Sequence, residues 1–151
     1  MGLLAFRTRA PIRAAVLGAM FLLATIGAVT AASTGNIKIA STFWALVSSG
    51  DIAGAMSYVD PQVEFRSGID MYSGRAQIQT FIEGYAAEGY QFHMTHFEDD
   101  GAGRIAYWYE VYDTAGTTVV SSGSDGLTIV RAGHIVFDGT AANVPEKFTS
   151  P

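Results

Sequence analysis

The fold is decided by residues 50–81, GDIAGAMSYVDPQVEFRSGIDMYSGRAQIQTF, where a helix start, a strand, an irregular loop and a second helix start follow one another closely. Asp51 stands where an N-cap belongs, ahead of Ile52, Ala55, Met56 and Val59 at helical spacing. Asp60-Pro61 ends that short helix, because the residue before a proline is steered away from the α region. Residues 62–67 then alternate, with Val63 and Phe65 on one face and Glu64 and Arg66 on the other, which predicts a half-buried strand. The loop that follows carries Ile69, Met71 and Tyr72, apolar residues suited to a lid over a pocket mouth or to a partner surface. Arg66 and Asp70 are close enough along the chain to pair; Arg66 gripping an acidic ligand is the alternative. Ser73 is placed to cap a third helix whose stripe is Ile78, Phe81, Ile82 and Tyr85, and Gly89 ends it.

Upstream, Ile37, Ala40, Phe43, Trp44 and Val47 recur at three- and four-residue intervals and predict a first amphipathic helix closed by Gly50. Downstream of Gly89 the period changes from helical to alternating. Four segments rich in aromatic and β-branched residues, 90–98, 104–113, 117–130 and 134–138, are joined by glycine-bearing turns typical of antiparallel hairpins. The third is long for one strand, and Ser122-Gly123-Ser124 in its middle reads as a bend or bulge that lets a sheet curl. Residues 141–151 read as a loose tail. Helices followed by a strand and a four-stranded meander make an α+β domain over residues 37–140.

With 49% hydrophobic and 12% aromatic residues the chain has the composition of a globular domain. Residues 1–31 differ from the rest: Arg7, Arg9 and Arg13 precede the apolar run 14–29, and Thr30, Ala31, Ala32 and Ser33 follow. These three parts predict a secretory signal peptide and an exported, periplasmic or extracellular domain, with an uncleaved membrane anchor as the alternative. The chain has no cysteine, which excludes disulfides, thiolate zinc and a lipid-modified cysteine. Beyond the signal, Lys38, Arg66, Arg75, Arg104, Arg131 and Lys147 face all fourteen acids, a balance that repels nucleic acid phosphates. Gly101-Ala102-Gly103 has no helix after it and is no dinucleotide fingerprint.

The first helix ending in Ser-Gly-Asp, then Tyr58-Val59-Asp60-Pro61-Gln62-Val63-Glu64-Phe65, then Ser73-Gly74 before Ile78 and Phe81, resembles the nuclear transport factor 2-like superfamily. Within it the chain is most similar to the SnoaL-like polyketide cyclases and the ketosteroid isomerases; Gly123-Ser124-Asp125-Gly126 and the last hairpin agree. The resemblance implies a cone-shaped curved antiparallel sheet wrapped around N-terminal helices, the cystatin-like roll, with a pocket on its concave face. It implies a small hydrophobic ligand and, in some relatives, a homodimer through the sheet; no cofactor and no metal are expected. Relatives isomerise, cyclise, dehydrate or only bind, so fold and function are separate inferences. Matched residue by residue, the base of the isomerases falls at Phe65 and their oxyanion-binding tyrosine at Phe43, neither of which can act in that way. Their protonated acid falls at Asp125.

Asp125 shares strand parity with Leu127 and Ile129, and if those point into the cone it becomes the candidate general acid or base. If the nearby bulge flips parity, Asp125 instead caps a turn at the sheet edge. His93 and His96 fall on opposite faces unless the strand is bulged between them, which argues against a shared metal; His96, with the parity of Phe92 and Met94, is the second candidate base. Tyr107 and Tyr109 share a face and offer hydroxyls that could replace the one missing at Phe43, or simply pack. The expected pocket is Phe43, Phe65, Tyr72, Tyr107, Tyr109 and Leu127. Two readings follow: a pocket protein for a small apolar, carbonyl-bearing molecule with proton transfer open to it, and a non-catalytic binding or dimerisation module.

Overall fold

The structure is a computed structural model and describes residues 34–149. The expected signal segment, residues 1–31, lies outside them. Residues 34–49 are helical (α1), and the predicted stripe is the buried one: Ala40, Phe43, Trp44 and Val47 face the core. Gly50, with φ of 83°, turns the chain out of α1, and the Asp51 amide donates back to the Leu46 carbonyl at 2.9 Å. Asp51 caps α2 (Ile52–Met56) as expected, its carboxylate accepting from the Gly54 amide at 2.9 Å.

Strand β1 (Val59–Ser67) starts three residues earlier than the alternation predicted and takes Val59 from the expected helix. It tolerates Pro61 because the register against its neighbour slips between Val59 and Glu64, where a missing amide costs no ladder bond. The expected loop is a hairpin: β2 (Asp70–Ser73) pairs antiparallel with β1 across Gly68-Ile69. Ser73 therefore ends a strand and does not cap α3 (Arg75–Glu88). Gly74 holds the N-cap position with φ of 81°, and Gln77 reaches back to accept the Ser73 amide at 2.9 Å. Arg66 makes no ion pair with Asp70; its guanidinium lies against the sulfur of Met71, the residue opposite it on β2. Arg75 from α3 donates to the Val59 carbonyl and ties the helix to the start of β1.

Strands β3 (Gln91–Gly101), β4 (Arg104–Tyr112), β5 (Val119–Arg131) and β6 (His134–Thr140) form the expected meander. Their order with the first hairpin is β2-β1-β6-β5-β4-β3, an α+β architecture with a curved, unclosed sheet. All neighbours run antiparallel except β1 and β6, which are parallel. One face of the sheet packs on α1, α2 and α3 through Val63, Phe65, Ile105, Tyr107, Val130 and Ile135. The other face carries a smaller cluster of Leu127, Ile129 and Phe137. The residues after Asn143, read from sequence as a loose tail, cover that cluster: Val144 and Phe148 pack on it, and Lys147 pairs with Glu64 of β1.

Three irregularities set which side chains face the helices. On β3 the register slips between Thr95 and Glu98, where His96 has φ of 54°. On β5 an extra residue lies between Gly123 and Gly126, which pair with Tyr109 and Tyr107. On β6 Ile135 and Phe137 pair with adjacent β5 residues, Val130 and Ile129, so Val136 is the extra residue.

Candidate functional site

A cavity of about 380 Å³ opens between α1, α3 and the inner face of the sheet. Its apolar walls come from Trp44 on α1, from Phe81, Ile82 and Tyr85 on α3, and from Phe65, Phe92 and Met94 on the strands. Tyr107, Tyr109 and Asp138 bring polar groups to the same space. Ring contacts hold the wall together: Trp44 lies 5.9 Å from both Phe65 and Tyr107, and Phe65 lies 5.8 Å from Phe81.

Asp138 is the chemical centre of this space. It is 1% exposed and pairs in register with Thr128 on β5 and Phe65 on β1. The Tyr107 hydroxyl donates to its Oδ1 at 2.8 Å, and the Thr128 hydroxyl donates to its Oδ2. Burial pushes its pKa up to about 7, and the donors Thr128, Tyr107 and Trp44 pull the other way without cancelling that desolvation. The Trp44 indole N–H exerts this pull without reaching hydrogen-bond geometry, and Nε1 is buried with no partner among the described residues. An unpaired buried donor costs roughly 1–3 kcal/mol, and Arg66 Nε on the lining of the same cavity is another among the described residues. Burial, and secondarily the Asp138 charge, raise Tyr107 well above the ordinary tyrosine value, so it stays a neutral donor.

Two glycines seat the tyrosines. A Cβ on Gly126 would come within 2.4 Å of the Tyr107 ring, and one on Gly123 within 2.7 Å of the Tyr109 hydroxyl. The glycines of the Gly123-Ser124-Asp125-Gly126 segment are thus the space in which two cavity side chains lie.

Of the residues predicted for the pocket, Phe65, Tyr107 and Tyr109 line the cavity. Phe43 is 1% exposed and packs edge-on against Trp44, behind the wall. Tyr72 stacks on Phe81 along a shallow groove outside α3. Leu127 belongs to the cluster on the other face, with Ile129. Asp125 therefore loses the premise that placed it inward: it is exposed on the β5 bulge and does not line the cavity. His96 is also turned out of the expected parity, because the bulge at its own position swings the ring onto Trp108, 4.4 Å away, while Phe97 takes the inner place. With the strand bulged, His93 and His96 are both exposed; among the described residues no group of three or more His, Asp or Glu could hold a metal ion.

Asp138 itself went unread in the sequence. With Ile135 and Phe137 both apolar, plain alternation turns Asp138 outward, and the extra residue Val136 reverses that. The available signal was an acid set in an apolar strand, Ile135-Val136-Phe137-Asp138-Gly139.

Residues 40–137 match the SnoaL-like domain family. The chain belongs to that family. Its fold generally serves as a small-molecule binding domain. Comparison with curated proteins finds no match. Among solved structures, this SnoaL-like domain is similar to a nuclear transport factor 2-like protein from Cytophaga hutchinsonii, at 14% identity and a TM-score of 0.56 over 68% of this chain and 85% of that one. It is similar to a candidate polyketide cyclase from Sinorhizobium meliloti, at 14% identity and 0.56 over 67% and 91%. An LEH-like epoxide hydrolase from M. tuberculosis matches at 13% identity and 0.53 over 70% and 80%. At these identities the likeness is one of fold.

Proposed function

We propose that this SnoaL-like domain binds a small apolar, carbonyl-bearing molecule and moves a proton at the carbon next to the carbonyl, with Asp138 as the acid–base group. One observation carries the reading: a buried carboxyl with a pKa of about 7 on the wall of a cavity lined largely by aromatic rings. A general base works best when its pKa lies near the working pH, and raised carboxyls cluster at functional sites. Tyr107 and Thr128 orient the carboxyl, Phe65 and Tyr109 shape the space beside it, and no cofactor enters the scheme. The register adds support. The isomerase base position falls at Phe65, and Asp138 is its partner on the adjacent strand. The proposal includes export, which rests on the arginine-flanked apolar run of residues 1–31.

The test is deuterium uptake at the α-carbon of 2-tetralone, a bicyclic ketone, in heavy water. The wild type should exchange on the order of 10²-fold faster than Asp138→Asn, the scale of a positioned acid–base group. Equal rates with intact folding would remove Asp138 from the chemistry.

A second reading, a non-catalytic module that binds or dimerises through the outer sheet face, draws on Trp108, 53% exposed beneath the His96 ring. Trp108→Ala leaving the solution mass unchanged would count against the dimer.

A further inference from the structure

Trp44 lies where the cavity needs a hydrogen-bond donor. Its side chain lines the cavity, is 3% exposed and ends in an N–H with no partner among the described residues. The hydroxyls beside Asp138 are satisfied, since Tyr107 and Thr128 both give their protons to it, whereas Arg66 Nε on the cavity lining shares with Trp44 the lack of a partner among the described residues. The ring is also fixed. Phe43, Phe65, Phe92 and Tyr107 surround it at centroid distances of 5.0 to 6.2 Å, so the indole cannot readily turn to find a partner.

A buried donor that is rigid, unpaired and open to a cavity with aromatic walls is complementary to a ligand acceptor. We propose that the Trp44 indole N–H receives the carbonyl oxygen of the ligand and so sets both its orientation and the preference of the site for oxygenated over purely hydrocarbon molecules. The proposal rests on the cavity reading above and adds the group that selects the substrate class. Trp44 and Asp138 line the same cavity, and the indole N–H pulls on the Asp138 carboxyl as a nearby donor does. A carbonyl oxygen on Trp44 therefore brings the adjacent carbon toward Asp138. As the proton leaves that carbon for the carboxylate, the C–H electron pair becomes the enolate π system, and the indole N–H stabilises the growing charge on oxygen.

The chain has two tryptophans, so the full-length ¹⁵N-labelled protein gives two indole signals, which Trp108→Phe assigns. The probes are 2-acetylnaphthalene and its hydrocarbon isostere 2-isopropenylnaphthalene. The ketone should move the Trp44 indole proton downfield and bind about tenfold tighter than the isostere, the effect of one recognised hydrogen bond, and Trp44→Phe should abolish that preference. A Trp44 signal that does not move at the solubility limit of the ketone, or that moves alike with both probes, overturns the proposal. So does a ketone preference that survives Trp44→Phe. The readouts are a chemical shift and an affinity ratio, so they stand whatever the deuterium experiment shows of Asp138.

Discussion

Asp138 places a titrating group inside the hydrophobic core, and that has a thermodynamic signature independent of any substrate. Its ordinary value is 3.8 and its native value about 7. The native state therefore binds more protons than the unfolded state between those limits. The stabilisation is fully present below about pH 4 and is lost as pH rises through about 7, a change on the order of 4 kcal/mol. Asp138→Asn should flatten that part of the profile, measured as urea unfolding free energy from pH 4 to 8. A profile that keeps its slope in the variant would assign the dependence to another group. Above pH 7 the wild type carries the buried charge, with the Tyr107 and Thr128 hydrogen bonds still holding the carboxylate in one orientation.

At the scale of strands and turns, the hairpins are tight and locally costly. Ala132 and Gly133 have φ of 49° and 81° between β5 and β6, the signs a type I′ turn requires. Alanine resists that conformation where asparagine accepts it, so Ala132→Asn should stabilise the protein by roughly 0.5–1 kcal/mol. The check is a higher urea midpoint at unchanged slope. Strand existence and hairpin order were legible because alternation and glycine turns are local signals, as was α1 from its stripe at Ala40, Phe43, Trp44 and Val47. The facing of individual side chains was not, because a bulge leaves no signature in composition yet inverts every residue beyond it. His96, Asp125 and Asp138 each lie at or just beyond such a point, and the bulges near them change which of the three reaches the cavity. Tyr107 and Tyr109 lie on β4, where the alternation from Ile105 to Val111 holds, and both were readable.

Over the described residues as a whole, the chain is closed by its ends: helix α1 backs the inner face of the sheet, and the segment after Asn143 covers the outer cluster of Leu127, Ile129 and Phe137. Phe148 lies 5.7 Å from Phe137, with Lys147 and Arg131 near its ring. Phe148→Ala should cost about 1–2 kcal/mol of unfolding free energy, in keeping with a half-buried aromatic, where a loose tail would show no change. The parallel pairing of β1 with β6 has a further consequence, in the time domain. Asp138 acquires its surroundings only when a strand from the beginning of the domain meets one from its end, through a loop closed between residues 65 and 138. Such long-range closure is paid in chain entropy before any contact rewards it, and it slows folding relative to the local β3–β4 hairpin. The desolvated carboxyl is thus a late event of folding: a chain that has formed its hairpins but not docked β1 on β6 has secondary structure and no site.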